Sequence, residues 1–194
     1  MCTADCTGHG VPGAFMSMLN ISYLTESILE KGISKPNQIL DHIRSSIISS
    51  LNPEGSIEES KDGMDCVLCS FDFTNNILEY AAANNSFYII RNNEIIHCSA
   101  DKMPVGMYSD MKPFELKSIS LQKNDVVYTF TDGFADQFGG PKGKKFKYKQ
   151  LEDILLNIHQ LPMEEQKEIL NQTFENWKGI LEQIDDVLLI GIII

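Results

Sequence analysis

The sequence predicts an α+β fold with a mainly antiparallel sheet. Apolar residues repeat with a helical period towards both ends of the chain, and short runs typical of strands lie between them. These runs follow one another through Asn-rich turns, which indicates an antiparallel meander instead of alternating β-α-β units. With 194 residues, 43% of them hydrophobic, the chain is long enough to bury a core, and we expect one domain over residues 1–194.

Two helices are predicted at the beginning of the chain. The first covers residues 14–30, where a broad apolar stripe predicts a helix that is well covered by the rest of the protein. The second covers residues 35–51, and its inner face is formed by Ile39, Leu40, Ile43, Ile47 and Ile48. Residues 52–63 are polar and rich in helix breakers, which predicts a mobile loop.

From Met64 onward the apolar pattern becomes that of strands. Strands are predicted at residues 65–72, 77–83, 87–91, 94–98, 114–121 and 126–131. The sequences Thr74-Asn75-Asn76 and Asn92-Asn93 are suited to the tips of hairpins. Helices are predicted at residues 148–158 and 163–181, and residues 187–194 form a last strand that we expect to be buried.

Composition restricts the partners and the compartment. Sixteen basic and 27 acidic residues give a net charge of −11, which repels a phosphate backbone and disfavours nucleic acid as a partner. No apolar run is long enough to span a bilayer, and the N-terminus does not resemble a secretory signal. Five scattered cysteines fit reduced thiols. We therefore expect a cytoplasmic protein without direct membrane contact in this segment.

Cys66 and Cys69 have the spacing of a metal-binding or redox pair, but they lie within a predicted strand. Residues three apart in a strand point to opposite faces, so we interpret both as small buried hydrophobic side chains.

The segment ADCTGHGVPGAF has glycines at positions 8, 10 and 13, the spacing of a dinucleotide-binding turn. A dinucleotide-binding oxidoreductase is therefore one hypothesis. That fold needs a second parallel strand after the first helix, with an acidic residue about 20 positions beyond the glycines. Here another helix is predicted instead. Moreover, the carboxylate of Asp5 would repel a pyrophosphate unless a divalent cation lay between them.

Other carboxylates also lie where predicted strands begin or end. Asp132 follows the strand at residues 126–131, and Asp185 and Asp186 come just before the last strand. Each position alone is common in turns. Together with Asp5, however, they form three acidic strand ends that could converge on hard cations such as Mg²⁺ or Mn²⁺.

These residues resemble the PPM-type metal-dependent serine/threonine protein phosphatases, in the bacterial branch named for stage II sporulation protein E. The resemblance runs through most of the chain. Its motifs are DCTGHGVPGA from Asp5, Asn84-Asn85-Ser86, Met103-Pro104-Val105-Gly106, Thr131-Asp132-Gly133 and Asp185-Asp186. At the second motif, relatives commonly carry a Gly-His-Asn-Pro turn, so any role of that histidine is absent here.

The resemblance implies a four-layer α-β-β-α sandwich with two Mn²⁺ or Mg²⁺ ions in a cleft. By analogy, Asp5 bridges both ions and the backbone carbonyl of Cys6 binds one of them. Asp132 and Asp185 hold the second ion, with Asp186 as the competing assignment to Asp185. A metal-bridging hydroxide would then attack the phosphorus of phosphoserine or phosphothreonine.

The resemblance also implies partners. The substrate is expected to be a signalling protein such as the phosphorylated antagonist of an anti-sigma factor, and a sensor domain is expected upstream in the parent protein.

His9 has two interpretations, a proton donor to the leaving group or a loop or capping residue, and the second is favoured. Lys142, Lys144 and Lys145 belong to a lysine-rich loop that either docks an acidic substrate or is simply solvated.

The family domain normally begins with two strands that would precede Asp5, and one of them carries a further metal-ligand aspartate. We therefore expect a domain that is incomplete at its N-terminus, binds metal weakly and has poor activity. A non-catalytic, phosphatase-like binding module is the alternative function. The uncovered sheet edge predicts homodimerisation.

Overall fold

A computed structural model describes residues 1–51 and 62–194. The loop predicted at residues 52–63 lies outside the described residues except at its last two positions. The mixed α+β class with antiparallel sheets is confirmed. The helices are α1 (Gly10–Thr25), α2 (Pro36–Leu51), α3 (Gly133–Asp136), α4 (Tyr148–Ile158) and α5 (Met163–Lys178), and a π-helical turn (Glu26–Glu30) extends α1.

The strands are β1 (Cys2–Cys6), β2 (Gly63–Asp72), β3 (Ile77–Ala83), β4 (Phe87–Arg91), β5 (Glu94–Cys98), β6 (Val105–Gly106), β7 (Lys117–Ser120), β8 (Val126–Phe130), β9 (Phe138–Gly139), β10 (Lys144–Lys145) and β11 (Leu189–Ile193). Every pairing among these described strands is antiparallel. After α1 the chain enters α2 and not a parallel strand, so the dinucleotide-binding hypothesis is wrong.

The chain divides into two compact units. The first unit consists of Met1–Ser86 and Ser99–Leu121, and the second consists of Phe87–Cys98 and Gln122–Ile194. Each unit has a main antiparallel sheet with helices packed on it, and the second unit also contains the two-stranded sheet of β9 and β10.

The sheet of the first unit has the strand order β1-β2-β3-β7, and β6 pairs with the start of β2. Helix α2 packs on this sheet, and four of the residues predicted for its inner face are buried: Ile39, Leu40, Ile43 and Ile47. Cys66 and Cys69 are both buried, which confirms their interpretation as small hydrophobic side chains.

Helix α1 is less covered than its sequence predicts. Met16 is buried, and Leu19 and Tyr23 pack partly against the core of the first unit. In contrast, Phe15 and Met18 are 65% and 68% exposed. The prediction of a well-covered helix is therefore wrong. The apolar stripe is wider than one contact face, so its far side remains in solvent.

The sheet of the second unit has the order β11-β8-β4-β5, with α4 and α5 packed against it. Asn92 and Asn93 form the tip of the β4–β5 hairpin with φ angles of 51° and 63°, as a type I′ turn requires. Strand β11 is only half-buried, and Ile193 is 48% exposed. The expectation of a buried last strand is wrong because β11 lies at the edge of its sheet.

Among the described residues, no helix is both long and apolar enough to cross a membrane.

Candidate functional site

Asp132 lies at the point where a buried strand meets a short helix. All five residues of β8 are buried, and Asp132 then occupies the N-cap position of α3. The next residue must be glycine, since a Cβ at Gly133 would lie 2.4 Å from the backbone oxygen of Asp186. The close approach permitted by Gly133 brings the segment before β11 against the end of β8.

Thr131 holds these two chain segments together. Its hydroxyl donates a 3.1 Å hydrogen bond to the carbonyl oxygen of Asp186 and accepts one of 3.1 Å from the amide of Leu188. The Thr131 amide also donates to the Leu188 carbonyl at 3.0 Å. The buried threonine therefore fixes both Asp132 and the acidic segment beside it.

Within the second unit, the structure brings Asp132 and Asp185 together. Their carboxylates offer oxygen atoms within 4.8 Å of each other. The Asp185 carboxylate also accepts a 2.8 Å hydrogen bond from the amide of Asp186, which holds it in this orientation. Of the two competing aspartates, Asp185 is the one whose carboxylate approaches Asp132, and Asp186 contributes its backbone to the Thr131 contact.

The donor set fits a hard divalent cation. Carboxylate oxygens bind Mg²⁺, Mn²⁺ or Ca²⁺ at roughly 2.0–2.6 Å, so oxygens up to about 5 Å apart can share one ion. Two carboxylates this close repel each other in the absence of a cation. Beside this pair, partial burial, followed by the charges of Asp132 and Asp136, raises the pKa of Tyr148 to about 12.

Asp5 lies in the first unit, near the end of β1. It is half-buried and directly faces Asp65 in the antiparallel register of β1 with β2. Facing carboxylates destabilise a strand pair unless other groups compensate. Burial raises the pKa of Asp65, and a 2.8 Å hydrogen bond from the Asn84 side chain opposes that rise.

The glycine loop after Asp5 turns tightly onto α1. A Cβ at Gly13 would lie 2.5 Å from the carbonyl oxygen of Gly8, so only glycine permits this contact. Thr7 ties the loop to the start of β2, because its amide donates to the Gly63 carbonyl at 3.0 Å. The side chain of Cys6 accepts a hydrogen bond of 3.3 Å from Asn20 of α1. The loop is thus held at both ends.

His9 occupies the N-cap position of α1, but its side chain makes no capping hydrogen bond. The structure therefore gives no support to capping, and the exposed imidazole is available at the surface of the loop.

The predicted docking lysines lie in the second unit. Lys142 and Lys144 are exposed, whereas Lys145 forms a 2.7 Å ion pair with Asp136 at the end of α3. The lysine-rich segment therefore contacts the helix that begins just after Asp132.

Asp65 and Gln137 lie near these sites but were not identified from the sequence, in which Asn84 was noted only as part of a turn motif. Asp65 and Asn84 form the hydrogen-bonded pair opposite Asp5. Gln137 is buried, and its side chain donates to the Glu182 carbonyl at 2.9 Å and accepts from the Ile184 amide at 3.3 Å. An acidic residue inside an apolar strand was a signal for Asp65, but nothing local distinguishes Gln137.

Residues 1–193 match the family model of stage II sporulation protein E (SpoIIE). The structure is similar to the SiaA-PP2C domain of Pseudomonas aeruginosa, with 27% identity and a TM-score of 0.89 over 100% of this chain and 74% of that chain. It is also similar to the PP2C phosphatase domain of SpoIIE from Bacillus subtilis, solved with a fragment of the regulatory domain. That match has 18% identity and a TM-score of 0.74 over 100% of this chain and 53% of that chain.

A third similar structure contains the RsbU and RsbW domains of a Mycobacterium tuberculosis protein. It has 18% identity and a TM-score of 0.75 over 98% of this chain and 50% of that chain. The chain thus spans about half the length of the second and third proteins, whose low identity shows the fold alone. No curated protein sequence matches the chain. Because the family model covers nearly all of its residues, the chain belongs to the stage II sporulation protein E family, with the fold of a PP2C-type phosphatase domain.

Proposed function

We propose that the chain hydrolyses phosphoserine or phosphothreonine on a bacterial signalling protein, in a reaction that depends on Mn²⁺ or Mg²⁺. The observation that carries this proposal is the approach of the Asp132 and Asp185 carboxylates to within 4.8 Å, in a chain of the SpoIIE family. The fixed backbone around Thr131 supports it, because ligand oxygens must be held in place before the ion arrives.

The cations would be held by the carboxylates of Asp5, Asp132 and Asp185 and by the backbone carbonyl of Cys6. Asp5 and Cys6 are included because the family resemblance assigns these roles to them. When bound, the cations would supply an activated water molecule as the nucleophile and neutralise charge on the phosphoryl oxygens. The protein's own contribution is to orient the ligand oxygens and the substrate.

His9 is proposed to donate a proton to the serine or threonine oxygen as the bond from phosphorus to that oxygen breaks. Its exposure and the lack of a capping hydrogen bond support this role. An alkoxide is a poor leaving group, so protonation lowers the barrier.

The proposed substrate is the phosphorylated antagonist of an anti-sigma factor, and the proposed regulator is a sensor domain in the parent protein. Two similar structures include, respectively, a fragment of a regulatory domain and an RsbW domain. By analogy, we place the protein in a cytoplasmic signalling pathway. Homodimerisation is also proposed, since β1 is the terminal strand of its sheet.

The test is release of inorganic phosphate by metal-stripped protein. Phosphoserine and phosphothreonine peptides should be hydrolysed after addition of Mn²⁺ or Mg²⁺, with a phosphotyrosine peptide as the comparison, and EDTA should stop the release. A labelled phosphopeptide that binds in the presence of Mn²⁺ without any turnover would instead support the non-catalytic binding module. Turnover that EDTA does not affect would contradict the metal-dependent mechanism.

A further inference from the structure

The hairpin formed by β9 and β10 carries a pocket of about 310 Å³ within the second unit. We name it the lysine pocket and define it by four lysines and one aromatic residue: Lys142, Lys144, Lys145, Lys147 and Trp177. All four lysines are exposed, and Trp177 is partly buried. A concave surface that combines cationic side chains with an aromatic wall is suited to an anionic ligand that also has apolar atoms.

Most described lysines have a carboxylate partner, but those of the lysine pocket largely do not. Within residues 1–51 and 62–194, the lysines that lack a described carboxylate oxygen within 4.0 Å are Lys102, Lys123, Lys142, Lys144 and Lys147. Three of these five line one pocket, in a chain whose net charge is −11. The pocket therefore concentrates uncompensated positive charge on an acidic protein.

The aromatic wall is fixed to the hairpin. The indole nitrogen of Trp177 donates to the Gln137 carbonyl at 3.0 Å, and the Gly140 amide donates to the Trp177 carbonyl at 2.8 Å. The ring of Trp177 also packs edge-on against Phe146 at a centroid distance of 5.2 Å. The pocket thus has its shape before any ligand binds, which reduces the entropy lost on binding.

Lys147 has an unusual backbone conformation. Its φ and ψ angles are 74° and 146°, a region that glycine adopts readily and that other residues adopt only at an energetic cost. A lysine at this position is a cost to folding that a glycine would avoid. A contribution of its side chain to ligand binding would explain why the position is not glycine.

The lysine pocket lies beside the carboxylate pair of the candidate site. Lys145 pairs with Asp136, the last residue of the four-residue helix that starts after Asp132. Such a helix is only about 6 Å long, so two to four residues of an extended peptide could cover the distance. The buried Gln137 further links the base of the hairpin to the segment that leads to Asp185.

We propose that the lysine pocket binds an acidic segment of the protein substrate, a few residues away from the phosphorylated side chain. This inference rests on the proposed phosphatase function and names the substrate class of that site. An acidic protein segment is favoured over nucleic acid, because the net charge of −11 repels a long phosphate backbone while a short acidic segment meets only the local lysines.

Trp177 is the only tryptophan of the chain, so its fluorescence reports directly on the pocket. The probe is an unphosphorylated peptide rich in glutamate, titrated into the protein at low salt. We expect a saturable fluorescence change, and about tenfold weaker binding by the K142E/K144E double variant, since attraction at this site is mainly electrostatic.

The matched control is the K102E/K123E double variant, which replaces two exposed lysines outside the pocket. Each Lys→Glu substitution changes the charge by two, so both double variants go from −11 to −15. The control is expected to bind the peptide like the wild type. If both double variants bind the peptide equally weakly, net charge explains the binding and the proposal that the lysine pocket is the binding site is wrong. A titration that does not saturate would contradict the proposal as well.

Two further measurements sharpen the test. Lys147→Gly should raise the thermal midpoint and weaken peptide binding; unchanged peptide binding would overturn the involvement of Lys147. A single-stranded oligonucleotide that binds more tightly than the glutamate peptide would overturn the choice of partner. If the protein releases no phosphate but still binds the glutamate peptide, the proposed phosphatase function is contradicted, whereas peptide binding by the lysine pocket is not.

Discussion

Thr131 and Asp186 join the ends of β8 and β11 through a hydrogen bond of 3.1 Å from the threonine hydroxyl to the aspartate carbonyl. The same hydroxyl accepts from the Leu188 amide, so one buried oxygen satisfies two backbone groups. Because Asp132 follows Thr131 and Asp185 precedes Asp186, this contact sets the separation of the two carboxylates. The geometry of the proposed metal ligands thus depends on a residue that itself binds no metal.

Thr131→Val should weaken both the fold and metal binding. It leaves the Asp186 carbonyl and Leu188 amide without their partner, at a cost of about 1–3 kcal/mol in the free energy of unfolding. The Mn²⁺ concentration for half-maximal activity should rise. Urea denaturation and a Mn²⁺ titration measure the two effects, and Thr131→Ser, which keeps the hydroxyl, is the control. Normal Mn²⁺ affinity in Thr131→Val would refute this coupling.

The side chains of Asp185 and Asp186 should contribute unequally to phosphatase activity. Asp185→Asn removes a carboxylate that approaches Asp132 and should reduce kcat/KM by about 100-fold or more. Asp186→Asn should have a much smaller effect, since the contact of Asp186 with Thr131 uses its backbone. Steady-state phosphatase kinetics on one phosphoserine peptide compare the two variants. A reversed order would assign the ligand to Asp186.

His9→Ala should affect substrates according to their leaving groups. Hydrolysis of a phosphoserine peptide should slow by about 100-fold, a typical loss for a general acid. The release of p-nitrophenolate needs no protonation, so turnover of p-nitrophenyl phosphate should fall much less. The ratio of kcat values for the two substrates measures this difference. An equal loss for both would rule out proton donation by His9.

Tyr148 should contribute to the loss of stability at alkaline pH. Its pKa is about 12 in the native protein, above the usual value of about 10, so the unfolded chain loses this proton first. Stability from Tyr148 is therefore present below about pH 10 and is lost as the pH rises towards 12. Tyr148→Phe should show a shallower decline of the urea midpoint over this interval.

If Tyr148→Phe declines as steeply as the wild type, a raised pKa of Tyr148 in the native protein is ruled out.

Local sequence signals predicted much of the fold. The bounds of β3, β4, β5 and α4 agree with the sequence prediction, because regular periodicity and asparagine turns act over a few residues. The two-residue strands β6, β9 and β10 are too short to show a period. The exposure of Phe15 was also beyond sequence reasoning, since an apolar stripe looks the same whether or not another element covers it.

The candidate site was predicted in part. Asp132 and Asp185 stand out because each lies where a strand meets a turn. The placement of Asp65 opposite Asp5 depends on the register of two strands separated by some 60 residues of sequence, which no local pattern reveals. Likewise, the ion pair of Lys145 with Asp136 depends on how the hairpin folds back onto α3.

The most direct measurement is the Mn²⁺ dependence of phosphate release from a phosphoserine peptide, compared between the wild type and Asp132→Asn. The activity of metal-stripped wild-type protein should rise with the Mn²⁺ concentration until it reaches a plateau. Asp132→Asn should stay at least about 100-fold slower at the same Mn²⁺ concentration, because a ligand oxygen has lost its charge. Equal rates for the two proteins at every Mn²⁺ concentration would contradict a metal-dependent phosphatase built on Asp132.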